Sequence, residues 1–326
     1  MVKAPPAPSA RRLIATVAWL YHTRGLRQNA IAERLNISQS RVSRLLEQAV
    51  GLDIVRTTVV LPADEQSVLE RELETAYDLR SAHVYDIGEV LDETQLVREL
   101  GQLLALQLQT TPLDAEVIGF TPWSRTLQEA VRNLQPLRNS GTRYVVEMLG
   151  DLGPPAQQHL AAQNTQQLAT LTGGEPLYLR LPGVLPNREV KETLLAHDSH
   201  ARETLAKLDS IDLALTGFGS GDIVPPLRAG DNFFTADQVA RVKKLGAVGE
   251  VNLRYICEDG TPVANELDEL VVGATLAQLR RAERRLGVGG GPSKYAAVRA
   301  ALLGGWINVL VTDSTTAQWL LDNRTR

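Results

Sequence analysis

Gln28-Asn-Ala-Ile-Ala-Glu-Arg-Leu35, Asn36-Ile-Ser38 and Gln39-Ser-Arg-Val-Ser-Arg-Leu-Leu-Glu-Gln-Ala49 follow one another without a break. The spacing predicts two short helices about a three-residue turn, the helix-turn-helix unit. In the first helix Ala30, Ile31 and Leu35 are expected inward. Asn36 is the residue that best tolerates positive φ, Ile37 plugs the gap between helices, and Ser38 caps the helix that follows. On that helix Val42, Leu45, Leu46 and Ala49 form one apolar stripe, which turns Gln39, Ser40, Ser43 and Arg44 outward. Upstream, Ile14, Val17, Ala18 and Tyr21 recur at i, i+3, i+4, i+7 after Ser9, an expected N-cap, and Gly25 marks the end of that first helix.

Charge agrees with this reading. The 326-residue chain has a net charge of −4, but residues 1–60 hold nine Lys/Arg against Glu33, Glu47 and Asp53, a net of +6, which leaves −10 on the rest. An acidic chain with a basic end fits a first segment that meets a polyanion. A recognition helix reads base edges with side chains near its N-terminus, where Arg pairs with guanine and Gln with adenine. Gln39, Ser40, Ser43 and Arg44 are the candidates for bases. Arg27, Gln28, Ser38 and Arg41 complete the interface, with Arg27 and Arg41 on phosphates. Asp53 to Val60 reads as a wing that brings Arg56 to the backbone. A helical hairpin used for protein contacts is the alternative.

Hydrophobic residues make up 44% and charged residues 22%, which argues against a disordered or coiled-coil chain. The single cysteine, Cys257, cannot form an internal disulfide or complete a zinc knuckle, and this fits a reducing cytoplasm. The Pro-rich start has no apolar signal core, and no run of about 18 apolar residues predicts a membrane span. We expect no cofactor, no metal and no membrane partner.

After Pro62, Leu69, Leu73 and Ala76 line one side of an expected helix over Asp64 to Tyr77, either a seam between protomers or a helix packed on its own domain. From Ser81 strands and helices alternate. Strands are expected at His83 to Ile87, Glu116 to Gly119, Tyr144 to Leu149, Leu177 to Leu181, Ile211 to Thr216, Glu250 to Arg254, Leu286 to Val288 and Asn308 to Thr312. Helices are expected at Glu93 to Leu108 and Ser124 to Leu134. The fold class is therefore α/β, a winged helix-turn-helix over residues 1–61, a linker or oligomerisation helix over 62–80 and a Rossmann-like domain over 81–326.

Ligands of such a sheet bind outside the carboxyl ends of its strands. Three loops there carry the chemistry. In Gly119-Phe-Thr-Pro-Trp-Ser-Arg-Thr126 a strand ends in glycine and a helix starts among hydroxyls, so free amides with Ser124, Arg125 and Thr126 can hold a phosphate or hydroxyls, and Trp123 can lie against a sugar ring. A capped turn with Trp123 in the core is the alternative. Gly289-Gly-Gly-Pro-Ser-Lys294 lets amides approach an anion beside Lys294, without Walker A spacing, and is otherwise a bare tight turn. Gly217-Phe-Gly-Ser-Gly-Asp222 is permissive for a ligand.

These loops, with Gln28 to Leu46, Gly246-Ala-Val-Gly-Glu250 and the run from Ala300 to Asp313, together resemble the SorC family of bacterial sugar-binding transcriptional regulators. The resemblance covers nearly the whole chain. It implies a winged helix-turn-helix joined to an effector domain similar to sugar-phosphate isomerases and deaminases, commonly in tetramers, with a sugar, polyol or phosphorylated sugar as effector. By that resemblance Arg125 and Thr126 belong to the loop that contacts effector, and Lys294 to the loop that contacts its phosphate or hydroxyls. The effector candidates are Gly119, Thr121, Trp123, Ser124, Arg125, Thr126, Gly217, Gly219, Glu250, Gly290, Gly291 and Lys294. Pro122 and Ser124 depart from the shorter, glycine-rich loop of the family and bear on which effector fits.

The partners expected are double-stranded operator DNA, the effector, and further copies of the chain in a dimer or tetramer. The rival reading is a sugar-phosphate isomerase or deaminase with a fused DNA-binding domain, which needs a general acid/base near the substrate carbon. Asp222, Glu250 and Asp313 lie near strand ends, but each is read more simply as a capping or hydrogen-bonding residue. The histidines form no acid/base constellation. We therefore expect a binder and not an enzyme.

Overall fold

The structure, a computed structural model, describes residues 8–52, 54–55, 67–88, 92–137, 140–222, 227 and 229–324. The chain divides into two compact units, Met1–Leu61 and Pro62–Arg326.

In the first unit, helix Pro8–Ala18 passes into a π-helical turn, Trp19–Thr23, and helices Gln28–Leu35 and Gln39–Gly51 follow. Asn36 takes the left-handed conformation (φ 51°, ψ 48°), and its N–H and that of Ile37 close the second helix on Glu33 O and Ala32 O. Ser38 Oγ accepts from Arg41 N at 3.3 Å, as an N-cap does. Val42, Leu45 and Ala49 are buried against Ile14, Val17, Ala18, Ile31 and Ala32.

Three expectations shift. Pro8, not a cap at Ser9, opens the first helix, where its missing N–H costs nothing. Tyr21 is 38% exposed, and Leu20, at 3%, is buried in its stead. The π turn breaks the 3.6-residue spacing on which the choice of Tyr21 rests. Ala30 is exposed and Ala32 buried. In a two-turn helix, small residues on both sides of Ile31 leave the phase open to either. The expected wing and Arg56 lie outside the described residues, apart from Ile54 and Val55, whose N–H groups bond Ala49 O.

Among the described residues the second unit has nine strands: β1 Ser81–Tyr85, β2 Val117–Phe120, β3 Tyr144–Glu147, β4 Glu175–Leu177, β5 Leu213–Thr216, β6 Ala247–Val251, β7 Arg254–Cys257, β8 Arg284–Val288 and β9 Val309–Asp313. Seven of them form a parallel sheet in the order β1-β9-β8-β5-β2-β3-β4. Alternate residues feed two cores. Val117, Val146, Ala214 and Leu310 join one, and Ile118, Val145, Leu213, Leu215 and Val311 join the other. That two-sided burial is why these strands read as continuous apolar runs.

Most strands lie within a few residues of expectation, with two exceptions. Glu250 to Arg254 is not a sheet strand: β6 and β7 form a separate antiparallel hairpin, and Asn252 (φ 55°) and Leu253 (φ 60°) are its turn. Positive φ at both central residues is the two-residue turn that suits the twist of paired strands, and it reverses the chain where a single strand is expected. β4 ends at Leu177, whereas Leu179 and Leu181 pack in a small separate cluster with Val272.

The helix before the sheet, Val68–Tyr77, starts in a capping box of Ser67 and Glu70. It packs on its own domain: Leu73 and Tyr77 are buried in the core that holds Leu320, and Tyr77 OH donates to Leu320 O at 2.7 Å. Its carboxylates also reach the edge strand, with Glu74 accepting from Ala82 N and Glu70 from Val84 N, both at 2.9 Å. Those N–H groups point off the sheet edge, where pairing with another chain is otherwise a hazard.

Candidate functional site

The chain runs from β2 outward through β3 to β4, then returns to place β5 on the other side of β2. Loops leaving β2 and β5 therefore diverge to opposite sides, and a crevice opens between their carboxyl ends. This is the topological switch point where such sheets hold ligands.

A cleft of about 150 Å³ lies there. That is room for one six-membered ring, since a cavity of about this size accepts benzene. It collects ten of the twelve effector candidates: Thr121, Trp123, Ser124, Arg125, Thr126, Gly217, Gly219, Glu250, Gly290 and Lys294. Gly119 and Gly291 are not in its lining. A Cβ at Gly119 would come within 2.7 Å of Ile211 and Met148, so this glycine admits core side chains behind the strand end. Gly291 (φ 85°) serves the turn itself.

Local sequence sets each wall. Ser124 caps helix Arg125–Asn133 through Leu127 N, which aims the first turn of that helix at the cleft. Gly217 lets β5 run close to this cap, for a Cβ there would lie 2.6 Å from Ser124 Oγ. The Gly289 to Lys294 loop is pinned from behind. Thr312 Oγ1 donates to Gly289 O at 2.8 Å, and Gly291 N donates to Thr316 Oγ1 at 2.9 Å. Asp313 holds that threonine, accepting from Thr316 N and Oγ1, and so caps helix Ser314–Asp322. The Gly291 amide is thus spent on the scaffold, and Lys294 is the polar side chain the loop offers the cleft.

The hairpin completes the floor. Gly219 and Glu250 exchange two backbone hydrogen bonds, 3.1 and 2.9 Å. The Glu250 carboxylate lies over Gly219, where a Cβ would sit 1.7 Å from Oε1, and its Oε2 accepts from Leu253 N. Asn252 is buried; its Nδ2 donates to Met148 O at 2.7 Å and its Oδ1 accepts from Thr121 Oγ1 at 3.2 Å. Burial pushes the Glu250 carboxyl above its ordinary value, against the Leu253 N–H and Lys294. Burial pushes the Lys294 ammonium down, opposed by Glu250 and Glu93.

Sequence reasoning missed Asn252, Leu253 and an apolar wall of Leu96, Val97 and Leu100 from helix Glu93–Thr110. Asn252 alone carried a signal, as the residue most tolerant of positive φ in an otherwise strand-like run. Among the described residues no group of three or more His, Cys, Asp and Glu side chains could hold a metal, and no helix is long and apolar enough to cross a membrane.

On the first unit, Arg27, Gln39, Ser40, Arg41 and Arg44 are exposed, and Gln28 and Ser43 are half-buried. Arg44 Nε donates to Ser40 O at 3.2 Å, so the outer face of helix Gln39–Gly51 is partly preorganised. Ser38 is engaged as the cap.

Residues 62–322 match the family described as "Putative sugar-binding domain". The chain is 30% identical over 314 residues to the deoxyribonucleoside regulator of Bacillus subtilis (strain 168), covering 96% of this chain and 98% of that protein. It is 29% identical over 320 residues to the sorbitol operon regulator of Klebsiella pneumoniae, covering 95% and 98%. The full-length crystal structure of the sorbitol operon regulator SorC from Klebsiella pneumoniae superposes with a TM-score of 0.68 at 26% identity, covering 97% of this chain and 100% of that one. The chain belongs to the sugar-binding-domain transcriptional regulators of the SorC family.

Proposed function

We propose that the protein is an operator-binding transcriptional regulator of carbohydrate metabolism whose DNA affinity is set by a sugar, polyol or sugar phosphate in the switch-point cleft. One observation carries the reading: the loops singled out by sequence on separate strands converge on a single cleft of sugar-ring size. Relatives named for a sorbitol operon and for deoxyribonucleosides support the carbohydrate class. Gln39, Ser40, Ser43 and Arg44 read bases, and Arg27 and Arg41, with Arg56, hold phosphates.

Binding rather than catalysis is supported by how the strand-end carboxylates are used. Asp313 caps a helix, Asp222 pairs with Lys243 at 2.6 Å, and Glu250 holds the hairpin turn. Regulation is then a difference in effector affinity between DNA-compatible and incompatible states of a homo-oligomer, acting in the cytoplasm where its operator is. The test is a fluorescence-anisotropy titration onto DNA from upstream of the protein's own gene, with random duplex as competitor and a panel of sugars, polyols and sugar phosphates. Specific binding shifted by one compound is expected. Binding no better than to random duplex would refute the reading.

A further inference from the structure

Arg24 of the first unit is seated on an aromatic ring, its Cζ 4.7 Å from the Trp19 ring centroid. Both side chains reach solvent: Trp19 is 46% exposed, and Arg24 is exposed beside it. The π-helical turn Trp19–Thr23 builds this contact. Arg24 N donates to Trp19 O at 3.1 Å, a bond to the fifth residue back, so the wide turn brings Arg24 to Trp19 while Leu20 fills the core. Gly25 (φ 67°) then turns the chain, and Leu26 N donates to Leu20 O at 3.1 Å. Arg27 follows in extended conformation (φ −69°, ψ 151°) and opens helix Gln28–Leu35.

The seat decides what the guanidinium can still do. Arg125, Arg132 and Arg188 each donate to a carboxylate at 2.6 to 2.7 Å, which engages charge and donors together. Contact over an indole face leaves the edge N–H donors and the positive charge for another acceptor, and it restricts the side chain before that acceptor arrives. When the second helix of a helix-turn-helix lies in the major groove, the first crosses the phosphate backbone. Arg24 stands at the entry to that first helix, three residues before Arg27. The acceptor this placement offers is a phosphate oxygen.

Resting on residues 1–61 being the DNA-binding unit, we propose that Arg24 is a further phosphate contact and that Trp19 is its positioning residue. The contact carries no sequence information; it fixes how the unit sits on the duplex. The half-exposed Trp19 acts through Arg24 and not by filling the core, a part that Leu20 already takes.

The test uses the full chain and its Arg24→Ala, Arg24→Lys, Trp19→Leu and Arg24→Ala/Trp19→Leu forms, each first checked for an unchanged far-UV spectrum and melting midpoint. Anisotropy titrations onto DNA from upstream of the protein's own gene, and onto random duplex, are repeated over a series of salt concentrations. Arg24→Ala is expected to weaken both duplexes alike and to flatten the plot of log affinity against log salt by about 0.9. Arg24→Lys should keep the slope. Trp19→Leu retains the charge, so its slope should hold while affinity for both duplexes falls about two- to five-fold. It should add no further loss in the Arg24→Ala background. An unchanged slope in Arg24→Ala, a loss confined to the operator, or a Trp19→Leu loss that persists without Arg24 would overturn the proposal. Wild type that tells the operator from random duplex beside any of these results keeps the DNA-binding reading, and wild type that binds neither duplex overturns both. Equal binding to the two duplexes together with the flattened slope supports the phosphate contact and refutes the operator reading alone.

Discussion

At Gly219 a single hydrogen atom keeps the cleft floor in place. A Cβ would meet the Glu250 carboxylate at 1.7 Å and its Cγ at 2.8 Å, so Gly219→Ala must move that side chain rather than merely crowd it. We expect at least a tenfold loss of effector affinity, on the order of 1.4 kcal/mol, with effector-free operator binding retained, as read by calorimetry and anisotropy. Away from the cleft, Glu147 is fully buried, accepts from Thr165 Oγ1 and Leu179 N at 2.9 Å each, and pairs with Arg180, which also reaches Asp151 at 3.0 Å. Burial, aided by Glu147 and opposed by Arg180, pushes Asp151 up to about 6. The folded protein then holds this proton more tightly than the unfolded chain. Its contribution to stability is complete below the ordinary value of 3.8 and is lost as pH rises through about 6. The stability of wild type relative to Asp151→Asn should therefore fall across that window, by at most about 3 kcal/mol, in denaturant melts. Gly219 was an effector candidate from the sequence, although its close approach to the Glu250 carboxylate was not readable there. Asp151 was not legible as special, because its shift comes from burial and from Glu147 and Arg180, which the fold brings to it. Arg44, by contrast, was readable from its place on an amphipathic helix. Arg44→Ala should weaken specific operator binding much more than binding to random duplex, and equal loss on both would make it a phosphate contact.

Short elements were legible where local rules decide them. The left-handed Asn36 and the Ser38 cap follow from the turn chemistry of the helix-turn-helix, and both are as expected. Ser38→Ala should cost about 1 kcal/mol of stability, seen as a lower urea midpoint with little change at the cleft. The β6–β7 hairpin is the opposite case. Its turn puts Leu253, a branched side chain, at φ 60°, and the conformation is held by the Glu250 carboxylate, by Asn252 on Met148 O and by burial. A strand-like run with no glycine at the turn hides such a reversal, because the tertiary bonds that offset its strain come from elsewhere in the chain. Asn252→Ala removes the bonds to Met148 and Thr121 from a buried site and forces alanine into the left-handed region. A loss of about 2 to 4 kcal/mol is expected, together with weaker effector binding.

For the whole molecule, the division of charge, +6 on residues 1–60 and −10 beyond, matches the division into two compact units at residue 61. If effector gates the operator, linkage requires reciprocity: the factor by which effector changes operator affinity is the factor by which operator changes effector affinity. Effector titrations with and without operator DNA should return equal factors. An effector affinity indifferent to operator, beside a real shift in operator binding, would show that the gate is not this binding equilibrium.

Alternation of apolar runs with amphipathic helices was enough to determine the parallel sheet, and turn residue, cap and apolar stripe were enough to determine the helix-turn-helix, since both rest on periodicity and backbone chemistry within a few residues. The loops at the carboxyl ends of strands were likewise readable, because a glycine-rich exit into a helix is a local feature. Tertiary structure alone decided that these loops meet. That depends on strand order, which places β5 beside β2 and opens the crevice between them. It also decided that Glu93 sits on Arg125 and that the hairpin tip closes the floor, because close approach of residues far apart in sequence is set by packing of the whole domain and by no local preference.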